Sequence, residues 1–158
     1  MAIATASQII TTVSTRNIDA GHFLPAEINI AERDYVLGAL GLELYSAVVA
    51  DSASYASFIS TYILPVLAYG TLSNVWNRLG VEVTDRGVNR FTGEGITTAP
   101  DTDKTATLFE IRQRLSSAIG EMIDYADENY PDLFDSDIDY QYKEITYYSQ
   151  GTKRVNAL

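Results

Sequence analysis

The chain contains few residues of the types that perform nucleophilic, acid–base or metal chemistry. His22 is the single histidine and there is no cysteine, which excludes disulfides, cysteine nucleophiles and mixed His/Cys metal sites. A Ser–His–Asp site would depend on His22 alone. That residue precedes a proline-initiated helix and lacks the strand–turn–helix context of a nucleophile elbow. We interpret His22 as a surface or loop residue and predict no catalytic residue.

A glycine-containing stretch and an acidic run are the other candidates for a binding site. Residues 93–95, Gly-Glu-Gly, resemble part of a phosphate-binding loop, but the third glycine and the strand–turn–helix unit are missing. The run Asp-Ser-Asp-Ile-Asp at 135–139 resembles the start of a calcium loop, but Tyr140 and Thr146 replace its glycine and glutamate. We predict a flexible loop and a solvated acidic segment, with a weak cation site as the alternative for the latter.

Paired carboxylates occur on a predicted helix without a recognisable partner. Asp124 and Glu128 are one helical turn apart, as surface carboxylates on many helices are. Nothing in their neighbourhood indicates a carboxyl group with a raised pKa. The expectation is therefore a protein that is not an enzyme and has no catalytic, cofactor-binding or metal-binding residues.

Composition indicates one folded domain. The chain has 158 residues, of which 46% are hydrophobic and 20% charged, values that are typical of globular proteins and sufficient for a core. No apolar run reaches the roughly 18 residues of a membrane span, and residues 1–15 lack the basic region of a signal peptide. The sequence predicts neither export nor membrane insertion.

The charge argues against a protein that grips nucleic acid. The formal net charge is -10, whereas tight DNA binding depends on Lys and Arg that displace phosphate counterions. An acidic surface repels DNA, which suits a protein that lets DNA slide past. The chain also has 11 Tyr against 5 Phe and 1 Trp. Tyrosine is enriched where protein surfaces meet, and a Tyr-rich edge of the core is the alternative that composition leaves open.

The first half of the chain predicts an arm followed by a bent helix. Residues 1–24 have no sustained periodicity and are interpreted as an N-terminal arm. Pro25 is placed as a first-turn proline, and good helix formers follow to residue 37. Gly38 and Gly41 predict a structural hinge before helical spacing resumes over residues 42–50.

Two long helices and a hairpin are predicted next. Apolar residues recur at helical spacing over 54–79, where Pro65 predicts a kink or a new helix start. Alternation around a glycine-containing turn predicts a hairpin at 81–91, followed by a loop at 92–101. The last helix begins near Asp101 and ends near residues 130–131. Its apolar stripe consists of Leu108, Ile111, Leu115, Ala118, Ile119, Met122, Ile123 and Ala126.

The predicted fold class is mainly α: an antiparallel helical bundle over residues 25–131 with a small β-hairpin between the long helices. Residues 132–158 are predicted to be an extended C-terminal docking tail, because residues 140–148 alternate like a strand that could add to a partner's sheet edge. A tail that is disordered, or folded back on its own helices, is the alternative. The candidate docking residues are Tyr140, Tyr142, Ile145, Tyr147 and Tyr148.

Three segments in this order resemble the head-to-tail connector, or adaptor, proteins of tailed bacteriophages, and most closely those of phages infecting Bacteroidetes. They are the turn Leu-Gly-Leu-Glu-Leu-Tyr at 40–45, the sequence Thr-Asp-Arg-Gly-Val at 84–88, and the long helix at 108–130. The long helix over 54–79 lies between the first two. The resemblance covers most of residues 24–131, and the tail after Pro131 matches no pattern of these proteins.

The resemblance implies a virion structural protein of the phage neck, assembled as a ring of twelve copies below the portal. Such a ring continues the DNA channel toward a downstream tail or neck protein, for genome ejection. The implied partners are other copies of the chain, the portal protein and that downstream protein. DNA passes through without specific binding, and no membrane is involved. The protein is expected in the host cytoplasm during assembly and in the virion afterwards.

Two other classes of protein remain open on the residues alone. A small enzyme or metal-dependent hydrolase on a helical bundle would need inward-facing carboxylate and histidine ligands on opposed helices, and the predicted apolar stripes contain none. A monomeric helical module that binds a partner through its Tyr-rich tail would need no ring. Its size in solution, with and without a portal, distinguishes it from a connector.

Overall fold

The described residues of the chain are mainly α-helical, which confirms the predicted fold class at that level. A computed structural model describes residues 3–13, 23–76, 81–84, 87–90 and 101–134. The α-helices are α1 (Ala6–Val13), α2 (Pro25–Ala31), α3 (Gly38–Ala50), α4 (Ala56–Phe58), α5 (Leu64–Val75) and α6 (Asp101–Asn129). The strands are β1 (Val81–Thr84) and β2 (Gly87–Arg90).

Helices α2 and α3 are joined by a π-helical segment, Glu32–Leu37. Pro25 occupies the first turn of α2, where its missing N–H costs nothing. The helical path continues through the π segment into α3 and breaks at Gly41. After Ala50 the chain turns, and the Asp51 carboxylate accepts a hydrogen bond of 2.6 Å from the Ser54 hydroxyl. This hydrogen bond lowers the pKa of Asp51.

A second π-helical segment, Ile59–Ile63, joins α4 to α5 directly before Pro65. The Leu64 N–H donates to the carbonyl oxygen of Ile59, five residues earlier. Proline has no N–H to donate and its ring crowds the preceding turn. The wider π turn accommodates both effects, so the helix passes through Pro65 with a change of helical type.

The two strands pair in antiparallel fashion. Val81 lies opposite Arg90, and Thr84 lies opposite Gly87. The predicted loop at 92–101 lies outside the described residues except for Asp101, which begins α6.

Helix α5 is the centre of the packed body, in contact with α1, α2 and α6. Its buried apolar side chains are Val66, Leu67, Ala68, Leu72 and Val75. Helix α1 is an integral part of this body, because Ile9 is completely buried in the core. At the other end of the chain Phe134 is buried as well. The packed body therefore includes part of the predicted N-terminal arm and extends past the boundary placed at Pro131.

The helix Ala56–Val75 is long and apolar enough to cross a membrane by length and composition. The amino-acid sequence alone predicted no membrane span. Half of the apolar window is buried inside the protein, as expected for the core helix of a globular body.

Gly70 allows α5 to contact the π segment closely. A Cβ atom at residue 70 would lie 2.6 Å from a ring carbon of Tyr35, well inside van der Waals contact. The Tyr35 hydroxyl then reaches the side-chain oxygen of Asn74 at 3.3 Å. Burial raises the pKa of Tyr35, with a further contribution from the charge of Asp34. A small residue at position 70 therefore determines how a tyrosine from another element packs.

Leu115→Ala is expected to lower the free energy of unfolding by about 2–5 kcal/mol, because it removes a buried side chain and leaves a cavity. Leu115 is 6% exposed and lies in the core with Ile111 and Ile119. Urea unfolding measures the change. Ser117→Ala, on the exposed side of the same helix, is the control and should change stability by less than about 0.5 kcal/mol. A loss below about 1 kcal/mol for Leu115→Ala would show that the site is not part of the core.

Candidate functional site

Gly41 produces a sharp kink within α3. Its φ of 76° and ψ of 167° are non-helical, and only glycine reaches this region without strain. Leu40 on one side of the kink is completely buried, whereas Leu42 on the other is 70% exposed. Gly38, the other predicted hinge residue, has helical angles of φ -62° and ψ -34°. The kink thus directs one leucine into the core and the next to the surface.

A cavity of about 360 Å³ lies beside this kink. One wall is formed by residues 40–43, and the other by residues 132–134. The second wall is held by the turn after α6, where the Phe134 N–H donates to the Tyr130 carbonyl oxygen at 2.9 Å. The cavity therefore lies between the kink in α3 and the turn that follows α6.

Five aromatic rings form a cluster between α4, the second π segment and the end of α6. They are Tyr55, Phe58, Tyr62, Tyr125 and Tyr130. Tyr62 and Tyr125 are stacked with ring centroids 4.3 Å apart, and Phe58 stacks on Tyr125 at 5.4 Å. Phe58 is buried and the four tyrosines are half-buried. Burial raises the pKa of Tyr130, and the neighbouring tyrosines raise it further.

The tyrosine enrichment predicted a surface that meets another protein, with a Tyr-rich edge of the core as the alternative, and did not identify this aromatic cluster. One signal was present: Tyr55, Phe58 and Tyr62 recur at helical steps. Their aromatic partners on α6 are far away in the sequence, so the cluster depends on tertiary packing. Aromatic pairs stabilise by about 0.5–1.5 kcal/mol beyond the area that they bury.

Glu32 is a buried carboxylate, 5% exposed, in the first π segment. One carboxylate oxygen accepts a hydrogen bond from the Ile3 N–H at 3.1 Å, and the other accepts one from the Tyr45 hydroxyl at 2.7 Å. In the sequence, Glu32 has no feature that indicates burial. The structure shows that it links the N-terminal segment to α3, and π turns often occur at positions with such a specific role.

Tyr45→Phe is expected to cost about 1.5–3 kcal/mol at neutral pH, because it removes a hydrogen bond to a buried charged group. Burial and the Glu32 carboxylate raise the pKa of Tyr45 to about 12, from an ordinary value of about 10. A raised pKa adds stability that is complete below about pH 10 and lost as the pH rises through 12. The difference in unfolding free energy between the wild type and Tyr45→Phe should therefore shrink over that interval. A difference that is absent at pH 7, or constant with pH, would contradict the prediction. Tyr69→Phe is a control, since that hydroxyl lies 3.5 Å from its donor, exposed Arg114.

The candidate docking residues Tyr140, Tyr142, Ile145, Tyr147 and Tyr148 lie outside the described residues, as do His22, residues 93–95 and the acidic run at 135–139. Asp124 and Glu128 are exposed on α6. Among the residues that the structure describes, no group of three or more His, Asp or Glu side chains is placed to hold a metal ion.

Fold and surface together define a mainly helical protein whose distinctive features are a glycine kink with its cavity, an aromatic cluster and a buried carboxylate. A model of one protein family, described as a family of unknown function (DUF6712), matches residues 38–155. The chain belongs to this family. No curated protein and no solved structure matches it significantly.

Proposed function

We propose that the chain is a structural protein of a tailed-bacteriophage virion, a head-to-tail connector that works as a ring of twelve copies below the portal. It has no catalytic activity and uses no cofactor. The ring continues the DNA channel toward a downstream tail or neck protein, and the genome passes through it during ejection without specific binding. The protein resides in the host cytoplasm during assembly and in the virion neck afterwards.

The observation that carries the proposal is the order of elements around Gly41. A helix breaks in the turn Leu-Gly-Leu-Glu-Leu-Tyr at 40–45, a long helix through α4 and α5 follows, and two paired strands precede the long α6. The resemblance to connector proteins rests on the same order. As the finer architecture, we propose an antiparallel helical bundle with the hairpin 81–91 between the long helices and an extended tail after Phe134.

Electrostatics supports the proposal. The chain carries a net charge of -10, and much of it is displayed on α6. Among the side chains of α6 that the structure describes, the exposed carboxylates are Glu110, Glu121, Asp124, Asp127 and Glu128. A surface of this sign repels the phosphates of DNA. In the proposed ring we expect acidic side chains to line the channel, and a channel lined mainly by Lys and Arg would contradict the proposal.

Cryo-electron microscopy of the phage particle tests the proposal directly. The expected result is twelve copies in the neck, directly below the portal, with each interface between copies burying on the order of 2,000 Å² or more, as in permanent assemblies. Density for the chain elsewhere in the particle, or its absence from the particle, would overturn the proposal. A monomeric helical module that binds its partner through the tail is the alternative. It would bind portal-bearing heads as single copies, which the same images distinguish.

Deleting residues 141–158 is expected to abolish attachment to portal-bearing heads while leaving the helical body folded. The reason is that the core of the described residues is formed by side chains up to Phe134, whereas the proposed docking residues are Tyr140, Tyr142, Ile145, Tyr147 and Tyr148. Cosedimentation with heads measures attachment, and circular dichroism with thermal melting measures folding.

A chain with Ser149→Ala and Gln150→Ala is the matched control for the truncation, because both changes lie in the tail beyond the docking residues. It should attach normally. Attachment of the truncated chain at the normal level would show that the tail is not the docking element, and unfolding of that chain would show that the tail belongs to the core.

A further inference from the structure

Two exposed features, one in the first half of α6 and one beyond its C-terminal end, are complementary in charge. The first is Phe109 near the start of the helix, a large apolar side chain that is 50% exposed. The second is the cavity between the α3 kink and residues 132–134, just beyond the end of the helix. A rise of 1.5 Å per residue separates the two by about 30 Å. Since a helix is rigid over this length, the two features cannot meet within one molecule.

Phe109 has a basic neighbour. Arg112 follows it by one helical turn and is also exposed, so both side chains are on the same part of the helix surface. Among the described side chains there are two other arginines. Arg33 pairs with Asp34, and Arg114 donates a hydrogen bond to the Tyr69 hydroxyl. Phe109 and Arg112 therefore form an apolar anchor beside a positive charge on an otherwise acidic body.

The cavity has the opposite character. Leu40, Leu42, Leu133 and Phe134 contribute apolar walls, and exposed Glu43 and Asp132 place carboxylates at its rim. Its volume is about 360 Å³ and it is half open to solvent, so a side chain of another molecule can enter it. Leu42, at 70% exposure, extends the apolar surface outside it. A phenyl ring accompanied by a cation matches this site.

We infer that copies of this chain associate head to tail, with Phe109 of one copy in the cavity of the next and Arg112 of the first beside Asp132 and Glu43 of the second. A contact between two different surfaces of identical chains generates a closed ring or an open filament. The inference rests on the proposed function, for which it names the contact that joins neighbouring copies. Aromatic side chains, phenylalanine included, and arginine are both enriched at protein interfaces.

Analytical ultracentrifugation of the purified chain, over concentrations up to the millimolar range, tests the anchor. The wild type should form oligomers larger than dimers as the concentration rises. Phe109→Ala should weaken this association by about tenfold or more, and it should fold normally because the side chain is half exposed. Leu24→Ala is the matched control, since Leu24 is 52% exposed on another element; it should associate like the wild type.

Charge reversal tests the orientation. Arg112→Glu should weaken association, and adding Asp132→Arg to the same chain should restore it. Adding Glu121→Arg, the same change of charge at an exposed position away from the cavity, should not restore it. Because the chain has no cysteine, a short bismaleimide can link a Gln113→Cys copy to a Leu42→Cys copy. Gln113 is exposed and one helical turn from Phe109, so this variant keeps the anchor. Links should form in the mixture and not in either variant alone.

A wild type that is monomeric at every concentration, a Phe109→Ala chain that associates normally, or equal rescue by Asp132→Arg and Glu121→Arg would overturn the inference. Efficient linking within the Gln113→Cys variant alone would also do so, because it indicates a two-fold contact. These failures differ from failure of the proposed function. A monomeric protein found in the neck by cryo-electron microscopy contradicts only the head-to-tail contact, and head-to-tail oligomers of a protein found elsewhere contradict only the connector role.

Discussion

A Gly41→Val protein is expected to lose about 1–3 kcal/mol of unfolding free energy. The φ of 76° and ψ of 167° at this residue lie in a region that costs other residues on the order of 1–3 kcal/mol. Gly41 lines the cavity beside the kink, so the expected cost comes from the backbone conformation. Urea unfolding monitored by circular dichroism measures the loss.

Two other glycines are controls for Gly41→Val. Gly38 has helical angles and is exposed, and a Cβ atom at Gly120 would meet no atom within 4 Å. Alanine at either position should stabilise the protein by about 0.5–1 kcal/mol, because it reduces the conformational freedom of the unfolded chain. If Gly41→Val changed stability by less than about 0.5 kcal/mol, the kink would not require glycine, and the orientation of Leu40 and Leu42 would need another cause.

A Phe58→Ala protein is expected to lose about 3–5 kcal/mol, the cost of removing a buried aromatic ring. Phe58 is 1% exposed and contacts three half-buried rings, those of Tyr62, Tyr125 and Tyr130. Its removal leaves a cavity where α4 meets the end of α6. The loss should appear as a lower melting temperature, by roughly 2–4 °C for each kcal/mol in a chain of this size.

Phe109→Ala is the matched control for Phe58→Ala, because the chemical change is identical and Phe109 is 50% exposed. It should change stability by about 0.5 kcal/mol or less. Tyr62→Phe keeps the stacked ring and should also be mild. A loss below about 1 kcal/mol for Phe58→Ala would mean that the aromatic cluster does not join α4 to α6.

The helices were predictable because their signals are local. Pro25 specifies a first turn, the apolar stripe around Leu115 and Met122 repeats every three to four residues, and Gly41 interrupts a helical pattern. Each signal acts through the backbone within a few residues. The same local signals predicted a hinge at both Gly38 and Gly41. A glycine is compatible with either helical or kinked backbone, and the packing of Leu40 and Leu44 in the core determines which residue departs from the helix.

The candidate site was much less predictable. From the sequence, Glu32 is expected to be an ordinary surface charge. Its burial depends on hydrogen bonds from the Ile3 N–H and the Tyr45 hydroxyl. Those partners belong to other elements. Similarly, Pro65 predicted a kink or a new helix start, whereas the helix passes through Pro65 behind a π turn.

The sequence by itself determined the helical class, the acidic charge, the absence of thiol chemistry and the two glycines between which the kink had to be chosen, because composition and short-range periodicity depend only on neighbouring residues. The tertiary structure decided which side chains meet. It brought α1 and Phe134 into the core, stacked Tyr62 on Tyr125, buried Glu32, and opened a cavity between residues 40–43 and 132–134. Each of these contacts joins distant parts of the chain, and its formation depends on how whole helices fill the available volume at close-packed density.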